Sequence, residues 1–163
     1  MAAFLRILLK VESFVAAVSY ALVAILLLGE IVAREVFAET IWGSQKMAVF
    51  AAIYAGFMGL TLATAANSHL RPQFADNWWP GHMHRAVERF GDVLSCLIFW
   101  GLGLAAISYV GDSYTFGDRA AVLYNPLWWI QVVIPYALFS SGLRHFAFAL
   151  QPALKPKPQL LEA

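Results

Sequence analysis

Long uncharged runs alternate with short clusters of charge along the whole chain. Residues 13–29, 47–66, 93–111 and 126–143 contain no Asp, Glu, Lys or Arg. Each run is close to the ~17–25 residues with which a helix crosses about 30 Å of hydrocarbon. None shows the polar-in, apolar-out alternation of a membrane strand. The pattern predicts an all-α integral membrane protein with four transmembrane helices, over about residues 11–36, 41–66, 83–111 and 126–148. Residues 1–150 then make one four-helix transmembrane domain. Residues 151–163, with Pro152, Pro156, Pro158 and two lysines, read as a disordered tail.

The polar clusters predict how the runs are joined. Glu30 and Arg34 stand four apart with the acid first, the better order for a helical ion pair at the end of the first helix. Thr40 is a candidate cap for the second helix, and Trp42 suits headgroup depth, because its ring is apolar and its N–H is not. The second helix carries two rows of small side chains at spacing four. One is Ala48, Ala52 and Gly56; the other is Ala51, Ala55, Gly59 and Ala63. Gly101 and Ala105 repeat the spacing on the third. In lipid there is no hydrophobic drive between helices, so close backbone approach through small residues is a main source of association. Between helices two and three, Pro72 and Pro80-Gly81 interrupt helix, and Phe74, Trp78 and Trp79 predict an interfacial segment. Asn125-Pro126 reads as a cap followed by a first-turn proline, and Pro135 as a kink in the fourth helix.

Composition agrees with the membrane reading. The chain of 163 residues is 61% hydrophobic and 13% charged, against about 45–50% and about 25% for a soluble domain. A net charge of +1 gives no reason to expect a nucleic-acid partner. The lone Cys96 lies in an apolar run and reads as a packing residue. Charge does set an orientation. Arg6, Lys10, Arg71, Arg85, Arg89, Arg144, Lys155 and Lys157 fall on one side, and Arg34, Lys46 and Arg119 on the other. The richer side is cytoplasmic by the positive-inside rule, so both termini are expected in the cytoplasm.

Candidate chemistry is sparse. His82 and His84 point to different helix faces, His69 lies in a loop and His145 at a helix end, and none lies within an uncharged run. With one cysteine, no thiolate-built zinc or iron–sulfur site is possible within the chain. No Ser-His-Asp pattern, phosphate loop or HExxH run is present. No catalytic residue, cofactor or metal ligand is therefore assigned. A transport site would call for polar groups near mid-bilayer. The runs offer Ser19, Tyr20, Tyr54, Thr61, Ser95, Ser108 and Gln131, with no charge at mid-depth. Glu12, beside Lys10, is expected at the interface rather than as a pump carboxylate. The reading is of a four-helix protein that packs against something.

The junction carries a resemblance. Leu28-Gly29-Glu30-Ile31-Val32-Ala33-Arg34-Glu35-Val36-Phe37, followed by Ile41-Trp42-Gly43-Ser44-Gln45-Lys46, resembles the DctQ-type small membrane subunit of TRAP (tripartite ATP-independent periplasmic) transporters. Arg34, Phe37 and Trp42 fit that pattern, whereas Gln45 stands near where an acid is usual. His69-Leu70, Trp79-Pro80, Arg85, Asn125-Pro126 and Pro135 extend the likeness over roughly residues 11–150. The resemblance implies a non-enzymatic subunit of an organic-acid symporter in a bacterial inner membrane. Its partners would be a large DctM-type membrane subunit and a DctP-type periplasmic substrate-binding protein. Candidate contacts to the large subunit are Trp42, Ala51, Ala55, Gly59, Ala63, Gly101 and Ala105, although the small-residue rows could equally pack within the four-helix unit. Candidate periplasmic docking residues are Arg34, Glu35, Glu39, Asp112, Asp118 and Arg119. Other readings are a small subunit of a tripartite tricarboxylate transporter, a respiratory-enzyme anchor and a homodimeric drug exporter.

Overall fold

A computed structural model describes residues 1–67 and 84–155, with the side chains of His84 and Arg85 excepted. The chain forms α1 (Ala2–Phe37), α2 (Ser44–Ala65), α3 (His84–Phe116), a short α4 (Trp128–Gln131) and α5 (Val133–Leu150), then a 3-10 turn, Pro152–Leu154. Four spans are long and apolar enough to cross a membrane, with α4 and α5 together making the fourth. The expected interfacial segment falls almost wholly at residues 68–83, outside the described residues.

The 36 residues of α1 rise about 54 Å at 1.5 Å each, well beyond the hydrocarbon thickness. The helix therefore starts nine residues earlier than the polar pattern suggests. Arg6 and Lys10 fail to stop it because a helix end costs more unpaired backbone than an interfacial cation does. At its far end Ala38 takes a left-handed conformation, φ 54°, and the Glu39 amide returns to the Ala33 carbonyl at 3.3 Å. The left-handed residue thus ends the helix without a glycine.

Two caps differ from expectation. Thr40 does not cap α2; Gly43 does, at φ 76°, three residues further on. A Cβ there would sit 2.6 Å from Leu123 Cδ2, so glycine is required both by the backbone and by its neighbour. Asn125-Pro126 does not open the fourth span either. The Asn125 carbonyl instead accepts the Ala120 amide at 2.8 Å, closing a compact loop, and helix begins at Trp128. The effect of Pro135 is found one turn upstream. Proline cannot donate to the carbonyl of residue 131, and the fourth span breaks at Val132, between α4 and α5.

Packing is chiefly α1 on α2 and α3 on α5, with α2 joining the two pairs through α5. A core of Ala16, Met58 and Val133 marks the junction of α1, α2 and α5. The outward faces are apolar: Phe14 and Ile25 on α1, Phe90, Leu97 and Leu104 on α3, all exposed. Such continuous apolar exposure suits lipid or a partner and not water. The tail expected to be disordered from Gln151 is ordered through Lys155; residues 156–163 lie outside the described part.

Small residues set the α3–α5 distance. A Cβ on Gly142 would lie 2.2 Å from Trp100 Cδ1 and 2.4 Å from its Nε1, inside any tolerable contact. Gly142→Ala should lower stability by about 1–3 kcal/mol through overpacking, read as a lower melting temperature of the purified chain in detergent. Adding Trp100→Leu should restore part of it. An unchanged melting temperature in the single variant would show that the indole can move aside.

Candidate functional site

Helix α1 buries one stripe, Glu12, Ala16, Ser19 and Glu30, at spacings of three, four and eleven that keep one helical face inward. The two carboxylates on that stripe organise opposite ends of the bundle. Glu12 is fully buried, and so is Arg144 on α5, at 1% exposure. Ser140 Oγ donates to Glu12 Oε1 at 2.6 Å, Tyr136 Oη donates to the same oxygen at 3.3 Å, and Arg144 Nη1 approaches it at 3.4 Å. Arg144 Nη1 also donates to Ser140 Oγ at 2.7 Å, while its Nη2 contacts Glu12 Oε2 directly. Tyr136, Ser140 and Arg144 stand four apart on α5 and so present one polar row to Glu12. The interfacial Glu12 of the sequence reading is thus corrected. It faces the bundle interior and holds the first helix to the last.

A second cluster lies at the same end. Asp92 on α3 contacts His145 Nδ1 at 3.2 Å and accepts a hydrogen bond from Lys155 Nζ at 2.7 Å. The His145 ring stacks on Phe99, centroids 5.6 Å apart, and meets Phe148 edge-on. The histidine that could be tested as a ligand is therefore a partner for a buried acid. Among the described residues, no group of three or more His, Cys, Asp or Glu side chains could hold a metal ion.

At the opposite end, Glu30 does not pair with Arg34. Its carboxylate accepts the Ile41 amide at 3.0 Å, and Ser44 Oγ donates to the Leu26 carbonyl at 2.9 Å. These two part-buried bonds fold the α1–α2 hinge back on its own helices. Arg34 turns outward to Glu35 at 3.2 Å, an exposed pair of little energetic weight.

Arg34, Glu35, Glu39, Asp112, Asp118 and Arg119 are all exposed, and the fold gathers them at this hinge end. The contact between Gly43 and Leu123 joins the α1–α2 hinge to the α3–α4 loop. The Tyr54 hydroxyl adds a bond to the Trp129 carbonyl at 3.1 Å. Phe37, Trp42, Tyr114, Phe116, Tyr124, Trp128 and Trp129 are exposed around the same end, a belt of the kind found at a headgroup boundary.

The candidate partner-facing residues separate. Ala55 is buried within the chain at 2% exposure. Ala51, Gly59 and Ala63 are half-covered, and the Tyr20 hydroxyl lies 4.0 Å from a Cβ built on Gly59. Trp42, Gly101 and Ala105 are open, with nothing within 4 Å of a Cβ on Gly101. The residues missed by sequence reasoning are Glu12, Tyr136, Ser140 and Arg144. Their signal was present: Glu12 opens the first uncharged run and Arg144 closes the last, which puts opposite charges at one end of a four-helix bundle.

The described residues thus give four spans apolar enough to cross a membrane, with the buried charges Glu12, Glu30, Asp92 and Arg144 each partnered inside the chain. The comparison with protein families makes this specific. The family described as the DctQ component of tripartite ATP-independent periplasmic transporters matches residues 7–154. The chain belongs to that family, a family of transporter components. No curated protein matches it.

Burial makes the Glu12–Arg144 pair directional in its energetics. Removing one partner strands a charge in a dry site, at about 3–5 kcal/mol, whereas replacing both by apolar groups is often neutral. Glu12→Leu and Arg144→Met should each destabilise the purified chain to that extent. The double variant should recover most of the loss. Additive losses in a denaturation series would show that the two side chains act independently.

Proposed function

We propose that this chain is the small membrane subunit of a secondary-active, binding-protein-dependent transporter for organic acids in a bacterial inner membrane. It braces the large, DctM-type transport subunit, and its hinge-end loops help dock the DctP-type periplasmic binding protein. Both termini lie in the cytoplasm in this reading, which places the hinge end in the periplasm.

One observation carries the bracing role. The buried charged side chains among the described residues, Glu12, Glu30, Asp92 and Arg144, each have a partner inside the chain. A substrate or ion site at the bilayer midplane usually draws on polar or charged groups that can be offered to a ligand, and here the buried charges are spent on holding helices and loops together. What remains for interaction is an apolar outer surface and a charged loop face. The exposed row Gly101 and Ala105 on α3, with Trp42 at the hinge, is the surface assigned to the large subunit. Ala55, Gly59, Ala51 and Ala63 support it from within, by setting the packing of α2.

The test is co-expression with the large subunit followed by purification in mild detergent. Gly101→Leu with Ala105→Leu should reduce recovery of the large subunit severalfold while leaving the melting temperature of the isolated chain unchanged. Undiminished recovery would remove this row from the interface. For the docking face, reversing Glu35 and Asp118 to lysine should slow uptake at limiting binding protein and alter its salt dependence, since rim charges act mainly on association. Assembly should be intact. Wild-type uptake kinetics in that variant would remove these charges from docking.

A further inference from the structure

The end of the bundle that carries the Glu12–Arg144 pair also carries a cavity of about 300 Å³. Ala2, Leu5, Arg6 and Leu9 line it from α1, Ala65 from the end of α2, and Arg144 and Phe148 from α5. Ala153 and Leu154, in and at the end of the 3-10 turn, add to the lining. The volume is at the lower end of the range for small-ligand sites, about 300–1,000 Å³. We propose that this cavity is a binding site for one anionic phospholipid, with the phosphate held at Arg6 and an acyl segment lying along Leu5, Leu9, Phe148 and Leu154.

Three features lead to that occupant. The lining contains two cations and no acid. The charge of Arg144 is already met by Glu12 at its back, which leaves Arg6 as the uncompensated charge. Arg6 is exposed and has no ion-pair partner among the described residues. The rest of the lining is apolar, as an acyl chain requires and a free phosphate does not. The cavity also sits at one end of the four spans, at the depth where a headgroup is found and where basic side chains attract anionic lipid.

The wall is built and not incidental. Lys155, the residue after Leu154, is anchored to Asp92 at 2.7 Å, and that bond holds the 3-10 turn over the cavity. Arg144 forms its floor in a fixed position because Glu12, Ser140 and its own helix hold the guanidinium. Lipid bound there would fill the gap between the first helix, the last helix and the chain that leaves it. The inference depends only on membrane insertion, not on the transporter assembly.

Native mass spectrometry of the full chain, with phosphatidylglycerol and phosphatidylcholine as competing probes, tests the site. The wild type should retain one phosphatidylglycerol with roughly five- to tenfold preference, the size expected for a well-placed basic residue near anionic lipid. Arg6→Gln should bring phosphatidylglycerol down to the phosphatidylcholine level without changing the melting temperature. Leu9→Trp, which fills the cavity, should abolish the retained lipid. Lys10→Gln, one turn on and outside the lining, should leave the preference intact. Equal retention of the two lipids by the wild type would overturn the proposal. So would a preference that survives Arg6→Gln or Leu9→Trp, or one that Lys10→Gln abolishes as fully as Arg6→Gln, since the last would mean a general surface attraction.

Discussion

A charge buried among packed helices must be answered by another side chain, and this bundle is arranged around that requirement. Glu12 and Arg144 each have burial that would be prohibitive alone. Together, with Ser140 and Tyr136 supplying the remaining bonds to the carboxylate, they become a fixed point between the first and last helices. The alternative packings open to greasy helices are many, because lipid and helix surface are chemically alike. A buried ion pair removes most of them, since any arrangement that parts the two charges leaves both stranded. A buried pair of this kind is expected to contribute definition more than net stability.

The same logic recurs at the other end with weaker groups. Glu30 takes a backbone amide in place of a cation, and Ser44 takes a carbonyl. The hinge is thereby held close to its helices, and Gly43 lets it approach the α3–α4 loop. Two segments far apart in sequence become one surface. Its charges are exposed and mutually close at Arg34 and Glu35, yet nothing inside the bundle needs them. Their freedom from structural duty is what the proposed docking role draws on.

Much of this was legible in the order of residues. Uncharged runs of sufficient length located the spans, because hydrocarbon thickness leaves little latitude. Ends were read less well. The start of α1 depends on whether interfacial cations can extend along a helix instead of ending it, and the start of α2 on a left-handed glycine rather than on a hydroxyl cap. Pro135 signalled a disturbance, and the break came at Val132 because the missing donor is felt four residues earlier. Pairing was the hardest to read. Spacing along one helix suggested Glu30 with Arg34, but the competitor was an amide eleven residues on, visible only once the chain has folded back. Likewise Glu12 looked interfacial by its neighbour Lys10, while its partner lay 132 positions away. Local rules cannot rank such contacts, since the dielectric that decides between them is a property of the assembled bundle.

That separation also imposes an order on biogenesis. At ribosomal rates of about 5–20 residues per second, Glu12 leaves the ribosome roughly ten seconds before Arg144 exists. During that interval the first helix must wait with a carboxylate whose partner does not yet exist. The bundle can close only when the last helix arrives. A chain truncated before α5 would then carry a built-in mark of incompleteness, a lone acid in the membrane that quality-control proteases can read.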